Sequence, residues 1–189
     1  MAKKPLKLAT FNINGIRSRL PHLLQWLQRE QPDIACLYLP NGNPQPGPKF
    51  DYKLRWMDRL LRHARTLVKS EHPVAMVGDY NVVPTDSDIY NPRSWRKDAL
   101  LQPESREKYA KLLAQGWTDS LRALFPDEQV FTFWDYFRDH WPKNSGLRID
   151  HLLLNPMLAS RLEGAGVDRW VRDLPKASDH APTWVTLAR

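Results

Sequence analysis

The chain has 189 residues, 42% of them hydrophobic and 26% charged, with a single cysteine, Cys36. This balance excludes a disordered chain, a collagen, a coiled coil, a disulfide framework and a cysteine-rich zinc site. The surplus of 28 Lys and Arg over 21 Asp and Glu, a net charge of +7, points to a polyanionic partner through counterion release.

No apolar run approaches the roughly 20 residues of a membrane helix. Lys7 interrupts the start before an apolar signal core forms. The expectations are one domain over residues 1–189, no membrane partner and a reducing cytoplasm. The 8 Trp supply rings that stack on bases or enter grooves, and the 16 Pro, spread along the chain, predict many ordered loops.

In chain order, Leu6, Leu8, Phe11 and Ile13 predict a strand over Leu6–Ile13, closed by an Asn-Gly turn. Leu20, Leu23, Leu24 and Leu27 keep helical spacing, with Pro21 suited to a first turn, and predict a helix over Leu20–Arg29. Asp33–Leu39 reads as a short buried strand, Asn41–Lys49 as a loop dense in Pro, Gly and Asn, and Phe50–Lys69 as a long helix. Pro73–Val77 reads as a strand stopped at Gly78, Asn81–Arg106 as mostly loop, and Ser105–Leu113 as a helix. Val130–Tyr136, Arg148–Leu154 and Pro182–Leu187 complete the predicted strands. The class is α/β (α+β). Polar residues at the predicted strand ends, Asn12, Asp79, Asp150 and Asp179, fall where a layered sheet fold places a site.

Short segments there carry chemistry. Asn12 and Asn14 stand two apart and could hold a metal-bound water or a phosphate oxygen, or could simply form a strand end with Asn-Gly turn chemistry. Asp79 and Asn81 pair a carboxylate with an amide, which suits the alignment of a water nucleophile and also suits an Asx turn. Asp150 is an acid in an otherwise apolar strand and needs a partner, an arginine such as Arg148, a protonated histidine or a metal. His180, after Asp179, is the natural acid/base at neutral pH and needs an orienting acceptor, for which Asp150 is available.

Taken together, these segments resemble the exonuclease III branch of the endonuclease/exonuclease/phosphatase superfamily. The resemblance runs from Ala9–Arg17 through Tyr38–Gly42, Lys49-Phe50, Gly78–Asn81 with Pro84–Asp86, Phe133–Tyr136 and Gly146–Leu154 to Ser178–Trp184. It implies a two-sheet, four-layer sandwich and phosphodiester hydrolysis assisted by Mg²⁺ or Mn²⁺. By resemblance, Asp79 orients or deprotonates the attacking water, with Asn81 in support. Asp150 holds His180, which helps stabilise the pentacovalent phosphate, and Tyr38 donates to a phosphate oxygen. Asn12, Asn14 and Asp179 lie near the metal. The implied partner is double-stranded DNA at abasic sites or 3′ ends, in a bacterial, nucleoid-associated setting. Arg17, Arg19, Arg93, Trp95 and Arg96 are the expected DNA contacts, and Phe133 and Trp134 line a pocket for a base-less sugar.

The sequence departs from that pattern at one place. Family members follow the Pro32–Leu37 segment with a Gln-Glu dipeptide whose glutamate is the principal metal ligand, then several strands. Here Leu37 runs directly into Tyr38, and Glu30 does not match that position. The expectations are an internal deletion at the 37–38 junction that keeps one alternating strand, weaker Mg²⁺ binding, and a first sheet reduced in size. A monomer is expected, with an exposed sheet edge as the route to a dimer. Two further readings follow: a DNA-binding remnant without turnover, and a phosphatase acting on a small phosphorylated substrate.

Overall fold

The computed structural model describes residues 6–12, 14, 16–30, 34–35 and 38–188; the side chains of residues 16–20, 24, 27, 34 and 35 lie outside the description. The elements, in chain order, are β1 (Leu6–Thr10), α1 (Ile16–Glu30), β2 (Ile34–Ala35), α2 (Pro48–Leu67), β3 (Ala75–Asp79), α3 (Pro103–Leu113), β4 (Thr118–Asp119), α4 (Ser120–Leu124), β5 (Asp150–Leu154), α5 (Pro156–Ala159), β6 (Leu162–Val167) and β7 (Thr183–Leu187). Short 3₁₀ turns lie at Asp86–Asp88, Pro92–Trp95 and Arg169–Asp173.

Strand alternation decides how these elements layer. Sheet one runs β2-β1-β7-β6, and sheet two runs β3-β5-β4. Leu8 of β1 and Val185 and Leu187 of β7 meet Val77 of β3 and Leu152 and Leu154 of β5, an apolar layer between the sheets. The opposite face of sheet one, through Ala9 and Trp184, packs with Phe11, with Leu23 and Trp26 of α1, and with Val171. The opposite face of sheet two, through Met76 and Leu153, packs against Met57 and Ala64 of α2 and Tyr109 and Leu112 of α3. The order helix, sheet, sheet, helix is the expected four-layer sandwich. Each fully buried leucine in it contributes roughly 1.5–3 kcal/mol.

One buried charge network sits between sheet two and the loops above it. Arg148 is 1% exposed. Its Nε donates to Asp88 Oδ1 at 2.7 Å and its Nη1 to Asp119 Oδ2 at 2.7 Å and His151 Nδ1 at 3.0 Å. His151 Nε2–H donates to the Val82 carbonyl at 2.9 Å. Burial, with Arg148 beside it, lowers the imidazole to about 4, so it is neutral. Burial alone would raise Asp88, but Arg148, Thr85 and Arg122 bring it down to about 2. Arg148 is thus committed to Asp88 and Asp119 rather than to Asp150, which leaves Asp150 for another partner.

Several boundaries differ from expectation. β1 ends at Thr10, so Asn12 and Asn14 lie beyond it, and Asn14 takes a left-handed φ of 48°. α1 begins at Ile16, which places Pro21 inside the helix rather than in its first turn. Pro48 and Pro103 start α2 and α3, where a missing N–H costs nothing, so the stretch read as mostly loop to Arg106 turns helical at Pro103. β3 runs through Gly78 to Asp79. Val130–Tyr136 forms no regular strand; Phe133 makes isolated bridges to Leu147 and His180. β6 escaped the sequence reading because Gly164 and Gly166 stand where a strand pattern expects apolar side chains. A Cβ at Gly166 would come within 2.6 Å of the Trp184 ring, so the glycine allows close strand approach.

The predicted strand across the junction is corrected. Ala35 pairs with Ala9 in sheet one, whereas Tyr38 bridges Asp79 and the Leu39 N–H donates to the Asp79 carbonyl at 2.8 Å, in sheet two. The segment therefore belongs to both sheets; Cys36 and Leu37 lie outside the described residues.

Arg148→Met should leave Asp88 and Asp119 buried with a charge partner removed. A loss of about 3–5 kcal/mol is expected, read as a lower urea midpoint with an unchanged m-value.

Candidate active site

The ends of β1, β3 and β5 and the segment before β7 converge on a cavity of about 230 Å³ lined by Asn12, Asn14, Tyr38, Asn41, Asp79, Asn81, Trp95, Leu100, Phe133, Ile149, Asp179 and His180. At its base His180 Nδ1–H donates to Asp150 Oδ2 at 2.8 Å. Thr132 Oγ1 accepts from the Ile149 and Asp150 N–H groups at 3.1 Å each and so fixes the start of β5. Ser178 Oγ donates to the Asn12 carbonyl at 2.6 Å and accepts from the His180 N–H at 3.2 Å, which ties the His180 turn to the end of β1. The Phe133 ring packs edge-on against the imidazole at 4.9 Å.

Asp79 is held on both oxygens. Oδ1 accepts from the Asn81 N–H at 2.8 Å, and Oδ2 accepts from Asn12 Nδ2 at 2.9 Å and Asn81 Nδ2 at 3.2 Å. Asn81, at a left-handed φ of 49°, spends its other amide hydrogen on the Leu39 carbonyl at 2.8 Å and accepts from Asn41 Nδ2 at 3.1 Å. His180 Nε2 faces Asn12 Nδ2 at 3.3 Å and Asp79 Oδ2 at 3.7 Å. A neutral ring accepts from Asn12 there, and a protonated ring is held by the Asp79 charge.

These charges set the proton affinities. Burial would lower the His180 imidazole, but Asp150, Asp79 and Asp179 outweigh it and raise it to about 9. Burial pushes Asp79 up to about 6, against the opposing pull of His180. At neutral pH the pair is an ionised carboxylate beside an imidazolium. Burial and the Asp79 charge raise the Tyr38 phenol, which remains a proton donor.

Asn12, Asn14, Tyr38, Asp79, Asn81, Asp179 and His180 therefore line one cavity, and Asp150 stands directly behind His180. Trp95 and Phe133 also line it. Trp134 does not: it is fully buried, packed against Trp141 with its indole N–H on Asn144 Oδ1 at 3.1 Å, so its expected place in the sugar pocket is corrected. Arg93 and Arg96 are exposed on the loop beside Trp95, and the side chains of Arg17 and Arg19 lie outside the described residues. The sequence reading missed Asn41, Thr132 and Ser178 as site residues. Asn41 and Ser178 sat within segments already singled out, but Thr132 carries no signal beyond its place before Phe133.

A divalent cation finds few donors here. No acidic residue lies between Asp33 and Asp51 in the sequence. Glu30 pairs with Lys7 at 2.9 Å. Among the described residues no group of three or more His, Cys, Asp or Glu is arranged to hold a metal ion. Asp79 and Asp150 turn toward His180, which leaves Asp179 as the carboxylate at the mouth, with Asn14 Nδ2 donating to its Oδ1 at 3.0 Å. Mg²⁺ needs only one or two carboxylates when water and substrate phosphate complete its shell, so the set fits in its minimal form.

Comparison with known proteins places this geometry. The pattern that defines the Endonuclease/Exonuclease/phosphatase family matches residues 38–180. The chain belongs to that family. It is 35% identical over 162 residues to the DNA repair nuclease APEX1 of Danio rerio, covering 84% of this chain and 50% of that protein. It is 33% identical over 155 residues to exodeoxyribonuclease III of Haemophilus influenzae, covering 78% and 58%. The chain thus spans about half the length of the curated relatives it matches. Among solved structures, an AP endonuclease from Archaeoglobus fulgidus superposes with a TM-score of 0.93 at 25% identity, over 97% of this chain and 100% of that one. The 3′ phosphatase NExo from Neisseria, bound to a product DNA hairpin, superposes with a TM-score of 0.92 at 24% identity, over 96% and 99%. Family membership agrees with the two-sheet sandwich and with polar groups gathered at its strand ends.

Because folded His180 holds its proton more tightly than an unfolded histidine, its contribution to stability is full below about 6.5 and lost as pH rises through about 9. Nitrogen NMR of the ring should titrate near 9 in the wild type, and Asp150→Asn should move that midpoint down, because burial then acts with less opposition.

Proposed function

We propose that the chain is a metal-dependent DNA phosphodiester hydrolase of exodeoxyribonuclease III type, acting at abasic sites and 3′ ends within a single domain. The observation that carries this reading is the Asp79, His180 and Asp150 arrangement, a carboxylate that can take a water proton beside an imidazolium held by a second carboxylate. The basic charge and the nuclease relatives support DNA as the substrate class in this reading.

In this reading Asp79 accepts the proton as water oxygen attacks phosphorus. The bond to the leaving 3′ oxygen breaks, that oxygen takes a proton from solvent at the cavity mouth to become the product hydroxyl, and negative charge builds on the non-bridging oxygens in the transition state. His180 and the Tyr38 hydroxyl meet that charge as donors set in place beforehand. Asn81 and Asn12 hold the Asp79 carboxylate so that its orientation does not change between steps. Asp150 keeps the His180 ring in place through its Nδ1–H. Asp179, with Asn12 and Asn14, would hold Mg²⁺ or Mn²⁺, which would supply positive charge at the phosphate. In this reading Arg93 and Arg96, exposed on the loop beside Trp95, meet the phosphates of the duplex, and Arg17 and Arg19 remain phosphate contacts expected from the sequence alone.

A second reading, a protein that binds DNA without turnover, is favoured because, among the described residues lining the cavity, Asp179 is the carboxylate that faces outward. An abasic duplex incubated with Mg²⁺ separates the two. The expected result is strand cleavage abolished by EDTA, half-saturating at millimolar Mg²⁺ because so few protein donors hold the ion. Asp79→Asn should lower kcat by about 10²–10⁴-fold. Salt-sensitive binding with no cleavage would establish the second reading, and hydrolysis of a sugar phosphate with DNA untouched would replace both.

The pH dependence of cleavage should be bell-shaped. Activity requires Asp79 ionised and His180 protonated, so it falls below about 6, and deprotonation of His180 near 9 sets the upper bound of the alkaline limb.

A further inference from the structure

Lys53 is fully buried on the inward face of α2. Its Nζ donates to the backbone carbonyls of Asn41 at 3.0 Å, Asn81 at 2.6 Å and Ala99 at 3.2 Å. An ammonium has three hydrogens, and each has an acceptor. The carboxylates that act on it, Asp98 and Asp79, act through space and not by direct pairing. A buried cation without a partner anion is costly, so an apolar residue would be the ordinary occupant of this helix face.

The three carbonyls belong to three separate segments that form one wall of the candidate site. Asn41 follows β2, Asn81 follows β3, and Ala99 follows the 3₁₀ turn at Pro92–Trp95. Asn41 and Asn81 line the cavity with their side chains, and Asn41 Nδ2 donates to Asn81 Oδ1 at 3.1 Å. Gly42, at a φ of 94°, closes over the lysine stem: a Cβ there would meet Lys53 Cδ at 2.7 Å. Asn43 zips the same loop to the third segment, with its Nδ2 on Asp98 Oδ1 at 3.0 Å and its Oδ1 accepting from the Ala99 N–H at 2.9 Å.

We propose that Lys53 is a positioning residue: its buried ammonium draws the carbonyls of Asn41, Asn81 and Ala99 to one point and thereby sets the Asn41 and Asn81 amides against Asp79 and the reacting phosphate. This rests on the hydrolase reading of the site. A hydrocarbon of the same length would fill the space but leave three inward carbonyls without a donor, free to turn away and carry the amides with them. An arginine would restore donors and charge, less well fitted beneath Gly42.

Proton affinity gives an independent readout. Burial lowers Lys53 to about 8. The charged groups facing it are Asp98 and Asp79; the loop from Pro40 to Gly47 contributes none. Above about 8 the ammonium gives up a proton and one carbonyl loses its donor, so cleavage should begin to fall before His180 titrates.

The test compares wild type, Lys53→Met and Lys53→Arg as full chains, by thermal unfolding, by cleavage of an abasic duplex from pH 6.5 to 10, and by the side-chain amide NMR signals of Asn41 and Asn81. Lys53→Met should keep KM and lose about 100-fold in kcat, the scale of a misplaced catalytic group. Lys53→Arg should recover about tenfold of that loss, with its alkaline break shifted upward to that of His180. An unchanged kcat in Lys53→Met would overturn the proposal, as would equal losses in the two variants with both amide signals unmoved. Should Lys53→Met not fold, wild type decides: the Asn41 and Asn81 amide signals must move together as Lys53 titrates near 8, and signals that stay fixed refute the positioning role. Should wild type cleave no DNA, the hydrolase reading fails and the same amide signals still decide whether Lys53 sets the wall.

Discussion

The hydrogen bond from His180 Nδ1–H to Asp150 Oδ2 joins the two halves of the molecule. His180 stands just before β7 in sheet one, and Asp150 opens β5 in sheet two. The bond exists only when both sheets are stacked in the observed register. The apolar layer of Leu8, Val77, Leu152 and Val185 therefore sets the position of the site as well as the stability of the fold. A slip of one residue in β5 would turn Asp150 to the opposite face and leave a buried imidazolium without its anion.

The same constraint explains why the neighbouring Asp79 and Arg148 are held by several partners each. A carboxylate at 2% exposure, as Asp79 is, needs donors, and Asn12, Asn81 and the Asn81 backbone provide them. Arg148 must be kept from competing for Asp150, and Asp88 and Asp119 hold it away. Lys53 completes the wall opposite. Asp79 and His180 each have a defined set of partners, which is what allows a carboxylate near 6 and an imidazole near 9 to stand 3.7 Å apart.

Much of this could be read from the residues. Asp79, Asn81, Asp150 and His180 each sit in a short segment whose polar character contrasts with an apolar run beside it, and that contrast marks a strand end. The partner of Asp150 was open in the sequence, because Arg148 is two residues away and His180 is thirty; only the packed sheets make the distant one nearer. Trp134 follows Phe133 directly, yet one ring faces the cavity and the other the core, a distinction that an irregular segment hides. Lys53 shares the buried face of α2 with Phe50 and Met57, but a lysine in a helix reads as a solvated residue, and nothing in the spacing shows three carbonyls waiting for it. The change of sheet between Ala35 and Tyr38 was equally hidden, since alternation continues across it while the pairing partner changes.

The central claim is that Asp150 and His180 act as one unit across the two sheets. A double-mutant cycle with Asp150→Asn, His180→Gln and the double variant, read as kcat for cleavage of an abasic duplex, tests it most directly. The account predicts strong non-additivity, with the double variant no slower than the slower single variant. Losses that multiply, so that the double variant falls by the product of the two single effects, would contradict it.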